Sequence, residues 1–119
     1  MIINGIELED LDIYDLEIAE KYDKALNSIK EFEENNKNKN MSMTDMIKTQ
    51  CKAIFDVFNL MFGEGTDRRV FGDKVNLLVC IKAFGELVNQ MNEKKAELEK
   101  ITNKYSPNRA ARRSKWWIY

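Results

Sequence analysis

Cys51 and Cys80 are the two thiols of the chain, and histidine is absent from all 119 residues. A nucleophilic cysteine needs a base beside it, and histidine is the usual one. Two cysteines without histidine also fall short of a four-ligand zinc site. Both lie on the apolar sides of helical patterns, the setting of small buried hydrophobes, and are expected to stay reduced. The carboxylates Glu7, Glu9, Asp10, Asp12 and Asp15 crowd an open stretch without calcium-loop spacing. Paired-acid catalysis needs a shaped pocket that separates two pKa values, and nothing here suggests one. Gly63-Glu-Gly-Thr-Asp67 has the glycines of a phosphate loop but lacks Gly-Lys-Ser/Thr and carries acids that repel phosphate. It reads as a turn. No catalytic set, metal or cofactor can be assembled from these residues, so the expectation is a protein that binds and does not catalyse.

The binding chemistry concentrates at the other end. Arg109, Arg112, Arg113 and Lys115 lie within seven residues and are followed by Trp116, Trp117, Ile118 and Tyr119. Basic charge with aromatics suits single-stranded nucleic acid, an anionic membrane surface, or an anchor peptide that docks an apolar groove on another protein or another copy. Four bulky apolar residues left free are a solubility liability, so protein docking is the first reading. A partner-binding set is completed by Met46, Phe55, Phe58, Phe62, Phe84 and Met91 on the helical stripes.

Those residues need elements to carry them. Five glycines and one proline leave few turns, and 33% charge with 44% apolar residues describes a helical globular chain. No apolar run approaches the ~20 residues that cross a bilayer. The start lacks a secretory signal, so a cytoplasmic protein is expected. Charge is segregated. Residues 1–40 hold 11 acids and 5 bases, residues 41–101 hold 9 of each, and residues 102–119 hold 5 bases and no acid. An acidic front and a basic tail invite head-to-tail contact or two different partners.

Asn4-Gly5 between apolar residues predicts a short hairpin that must lean on a helix or another chain. A first helix is predicted from about Asp12, as its cap, to Glu34, with Ile13, Leu16, Ala19, Tyr22, Leu26, Ile29 and Phe32 on one stripe. The polar run 35–40 links it to a second helix starting near Ser42 or Thr44. There Met43, Ile47, Cys51, Ile54, Phe58 and Met61 form a stripe, widened by Met46, Phe55 and Phe62. Gly63 stops that helix, and Gly63–Asp73 is read as a loop whose Val70 and Phe71 tuck into the core. A third helix is predicted from Asp73, as cap, to about Asn103, roughly 45 Å long. Its stripe comprises Leu77, Cys80/Ile81, Phe84, Leu87/Val88, Met91, Leu98 and Ile101, and its charged end projects from the body. Gly85 either weakens it by ~1 kcal/mol or permits close helix packing. The fold class is mainly α: a bundle of about three long helices with an N-terminal β hairpin, spanning residues 1–105, and a basic-aromatic tail over 106–119.

The pattern Phe62-Gly-Glu-Gly-Thr66, Val70-Phe-Gly-Asp-Lys-Val-Asn-Leu77, Cys80 and Phe84, with the opening Ile3-Asn-Gly and the ending Asn108-Arg-Ala-Ala-Arg-Arg113, resembles tail assembly chaperones. These are small proteins of phages and phage-like tail particles of Gram-positive bacteria. The resemblance covers residues 1–113 and does not extend to Trp116–Tyr119. It implies binding without catalysis: several copies hold the aggregation-prone tape-measure protein until tube subunits polymerise around it. The wide stripes and six methionines suit a client with varied apolar helices. A homo-oligomer in the host bacterial cytoplasm is expected, with other tail proteins as partners and neither nucleic acid nor membrane. The alternatives are a structural or adaptor component of the particle, or a small regulatory protein using its tail on nucleic acid.

Overall fold

The computed structural model of the chain describes residues 1–37 and 39–105. In order they form β1 (Ile2–Ile3), β2 (Ile6–Glu7), α1 (Leu16–Asn36), α2 (Met43–Phe62), α3 (Thr66–Phe71) and α4 (Leu77–Tyr105). The expected hairpin and three long helices are present, and a fourth, short helix is added.

The hairpin is antiparallel, with Ile2 opposite Glu7 and Ile3 opposite Ile6. Its two turn residues, Asn4 and Gly5, both have positive φ (53° and 75°), as a type I′ turn requires. Arms of two residues cannot stand alone. Ile3 is therefore sunk in the core, and Leu8 and Leu11 behind it are buried too. The Asn4 side-chain amide donates to the Val70 carbonyl at 2.8 Å, and Gln90 donates to the Ile2 carbonyl at 2.9 Å. The hairpin thus leans on α3 and α4.

α1 begins at Leu16, three residues later than a helix capped by Asp12 would. Asp15 is its cap, accepting from the Glu17 N–H at 3.1 Å. Asp12 is used one turn earlier, where its carboxylate accepts from the Tyr14 N–H and closes a local turn instead of a helix. The inward line also differs from the expected stripe. Leu16 is 72% exposed in the first turn, while Ala25 is buried and Ile18, Tyr22 and Ile29 pack against the core.

α2 starts where expected, with the Ser42 hydroxyl accepting from the Asp45 N–H at 3.2 Å. Cys51, Ile54, Val57, Phe58 and Met61 are buried. Met43, placed on the stripe by its spacing, is 73% exposed, because the first turn of α2 runs past its neighbours. The helix stops at Gly63, whose N–H donates to the Asn59 carbonyl.

The segment expected to be a loop contains α3. Gly65 takes the left-handed conformation (φ 89°) just before it. The Thr66 hydroxyl donates to the Gly63 carbonyl at 2.6 Å, and the Asn59 side-chain oxygen accepts from the Asp67 N–H at 3.0 Å. These bonds give the first turn of α3 the partners that its six residues cannot supply internally. Burial of Val70 and Phe71, as expected, holds the rest. Phe71 meets Phe55 at 5.0 Å and the edge of Phe58 at 5.4 Å between ring centroids.

α4 begins at Leu77 and not at Asp73. Asn76 accepts from the Val79 N–H at 3.2 Å, and Asp73 instead pairs with Arg68 at 3.0 Å. The helix has 29 residues, about 43 Å at 1.5 Å each. Cys80, Ala83, Leu87 and Met91 are its buried line, and beyond Met91 no described side chain is buried. The remaining turns project. The molecule measures 55 × 35 × 20 Å with a radius of gyration of 17.1 Å, against about 13 Å for a compact chain of this size.

Candidate functional site

α2 lies at the centre, with α1 packed on one flank and α4 on another. Between them a groove of about 370 Å³ remains open. Ala53 and Ile54 of α2 form its floor, Ile29 and Phe32 of α1 one wall, and Ile81 and Phe84 of α4 the other. Glu33 and Lys37 stand at the α1 rim. A volume in this range with apolar walls is typical of sites that take an apolar group.

The α4 wall continues onto the surface. Leu78 is 61% exposed and Ile81 50% exposed. With Gly85 and half-buried Val88 they step along the helix at intervals of three, four and three, which places them on one face. Val75, just before the helix, is exposed as well. A Cβ built at Gly85 would meet nothing within 4 Å. Among the described residues Gly85 therefore serves no close helix packing; it leaves a shallow gap in the apolar strip.

The structure separates the docking residues expected from sequence. Phe84 lines the groove. Met46 is exposed on the first turns of α2, and Phe55 and Phe62 are half-buried against the core. Phe58 and Met91 have no exposed surface at all. They sit on the inward lines of α2 and α4, so neither offers contact area to a partner. Arg109, Arg112, Arg113, Trp116, Trp117 and Tyr119 lie outside the described residues. What the spacing missed is Leu78, Ile81 and Val88 as outward residues. The signal was there in the doubled apolar pairs Leu77-Leu78, Cys80-Ile81 and Leu87-Val88, where one member faces the core and the other faces out.

The thiols sit on the opposite, buried side. Cys51 and Cys80 are free and wholly buried. Burial, together with the neighbouring Cys51, pushes the Cys80 thiol up to about 12, so it is held protonated and non-nucleophilic at neutral pH. Among the described residues no group of three His, Cys, Asp or Glu could hold a metal ion, and no helix is long and apolar enough to cross a membrane. The residues Gly63-Glu-Gly-Thr66 build the α2–α3 turn.

Residues 4–116 match the model of a family of unknown function, DUF6673, and the match runs through the basic segment as far as Trp116. No curated protein and no solved structure matches the chain.

Proposed function

We propose a function for a chain that belongs to the DUF6673 family of unknown function: a non-enzymatic tail assembly chaperone of the phage type. It holds apolar helices of the tape-measure protein in the host cytoplasm until the tube forms around them. One observation carries this reading. Leu78 and Ile81, with Gly85 and half-buried Val88, make an apolar strip along α4 that continues an apolar groove and that the described residues leave open. A strip of this spacing receives an amphipathic helix, whose own residues at three- and four-residue steps fill the gaps. Exposed contiguous apolar surface is costly to a free protein and marks an interaction site. The resemblance in the α2–α3 turn and the start of α4 supplies the kind of client.

The test is co-expression with a phage tape-measure protein, followed by a pull-down. The expected result is a soluble complex that Leu78→Glu and Ile81→Glu abolish while the fold is kept. A tape-measure protein that stays insoluble and uncaptured overturns the reading. Mass spectrometry of finished particles separates it from a structural tail component, since a chaperone is absent from them.

A further inference from the structure

The geometry points to a head-to-tail contact between copies: Trp116-Trp117-Ile118-Tyr119 of one chain occupies the groove between α1, α2 and α4 of the next. The argument concerns only this chain and does not depend on the client proposed above.

The groove is apolar and wide enough for an aromatic side chain, and the aromatic cluster is the most apolar part of the chain outside the described residues. Reach decides which copy supplies it. Ile81 and Phe84, the α4 wall of the groove, lie 21–24 residues before Tyr105, which is about 32–36 Å along a helix at 1.5 Å per residue. Trp116 is eleven residues past Tyr105. Fully extended, those residues span at most ~36–40 Å, barely more than the distance back to the groove. Return to its own groove would therefore need the segment stretched taut along the whole of α4. A neighbouring copy's groove carries no such constraint.

Charge favours the same pairing. The residues leading into the aromatics are Arg109, Arg112, Arg113 and Lys115 with no acid among them. The groove lies at the end of α1 where Glu31, Glu33 and Glu34 outnumber Lys30 and Lys37, all exposed, and Glu33 stands on its rim with Lys37 one turn on. Basic side chains flanking a docked Trp pair would meet these carboxylates, an attraction that weakens as salt rises. Because the groove and the aromatic segment are different surfaces, the contact is heterologous. It generates a ring or an open string of copies and not a two-fold dimer.

Trp116 and Trp117 are the only tryptophans, so intrinsic tryptophan emission reads the segment alone. The full chain should show a mass that rises with concentration, with blue-shifted emission that moves red on dilution. Trp116→Ala/Trp117→Ala should be monomeric. Ile81→Lys, at a half-exposed position, should also be monomeric with red emission and an unchanged helical circular dichroism spectrum. Mixed in equal amounts, these two variants should give a heterodimer and nothing larger, since one keeps only the groove and the other only the segment. Glu33→Lys, on the exposed rim, leaves the core untouched and should weaken association roughly fivefold. A full chain that is monomeric at every concentration overturns the proposal. So does association that survives both variants, failure of the two variants to pair, or blue-shifted emission that is independent of concentration and lost in Ile81→Lys.

Discussion

Where the hairpin and α2 close over Cys80, Ala83, Leu87 and Met91, α4 has no exposed side chain. Part of a turn around the same helix, Leu78 and Ile81 are half exposed or more. The two faces have much the same composition, so hydrophobicity alone does not decide burial. What differs is the supply of neighbours. The inner face receives the hairpin, pinned by Asn4 and Gln90, and α2. Among the described residues no element packs on the outer face, and α1 stands across the open groove from Ile81 and Phe84. A sequence that keeps a second apolar line on a helix without supplying an element to cover it holds contact surface in reserve.

Substitution separates the two faces most sharply at the aromatic cluster. Phe58 has no exposed surface and touches Phe71 edge-on and Phe62 face-on. Phe58→Ala should cost about 3–5 kcal/mol, read as a lower urea midpoint with unchanged slope. Ile81→Lys on the other face should shift the midpoint by no more than ~0.5 kcal/mol, as surface changes do. Equal losses at the two positions would mean that the groove is closed in solution.

The thiols extend the contrast to pH. Cys80 keeps its proton in the folded protein up to about 12, against an ordinary value of 9.0. Between these values the unfolded chain binds fewer protons, so this contribution to stability is intact below about pH 9 and falls as pH rises toward 12. Alkylation of Cys51 and Cys80 at pH 8 should proceed only as fast as the protein opens, and denaturant should accelerate it in step with unfolding. Rapid labelling of the native protein would place the thiols near a surface.

The sequence made the hairpin, the Ser42 cap, the Gly63 stop and the burial of Val70 and Phe71 legible, because each rests on local chemistry: a turn, a hydroxyl, a positive φ, an apolar pair. It misplaced both helix starts that depend on a choice between nearby acids and amides. Asp12 and Asp73 are good caps in isolation, yet Asp12 closes a turn and Asp73 pairs with Arg68, so Asp15 and Asn76 serve instead. α3 escaped notice because its first turn is held by the Asn59 side chain and the Gly63 carbonyl, partners that no periodicity within six residues reveals. The exposed apolar strip was half legible. Apolar width on the second and third predicted helices was visible, but which members face in is settled by tertiary neighbours. Thus Phe58 and Met91 went to the core and Leu78 and Ile81 to the surface.

The hairpin clamp is the next test in size. Asn4 holds a left-handed backbone (φ 53°), and its side chain donates to the Val70 carbonyl at 2.8 Å. Asn4→Ala removes that donor and puts a residue less tolerant of the left-handed region in its place, a loss of about 1–2 kcal/mol. Asn4→Gly keeps the turn and loses only the side-chain bond, so it should cost less. If the two variants are equally destabilised in a thermal melt, the turn conformation contributes little and the bond to α3 carries the clamp.

The smallest change tests the outer face most directly. Gly85 lies within α4 in an ordinary helical conformation, and an added Cβ would meet nothing within 4 Å. For the isolated protein Gly85→Ala should therefore stabilise, by about 0.5–1 kcal/mol, because alanine loses less backbone freedom on folding. The gap it fills lies between Ile81 and Val88 on the apolar strip, where a partner helix would come closest. If the strip is a docking face, the same substitution should weaken the complex with the tape-measure protein while raising the melting temperature of the free chain. Opposite signs in the two measurements identify a glycine kept for a partner at some cost to the monomer. A gain in both would move the partner's closest approach away from Gly85, and a loss of stability in the free chain would mean that the outer face of α4 is already covered.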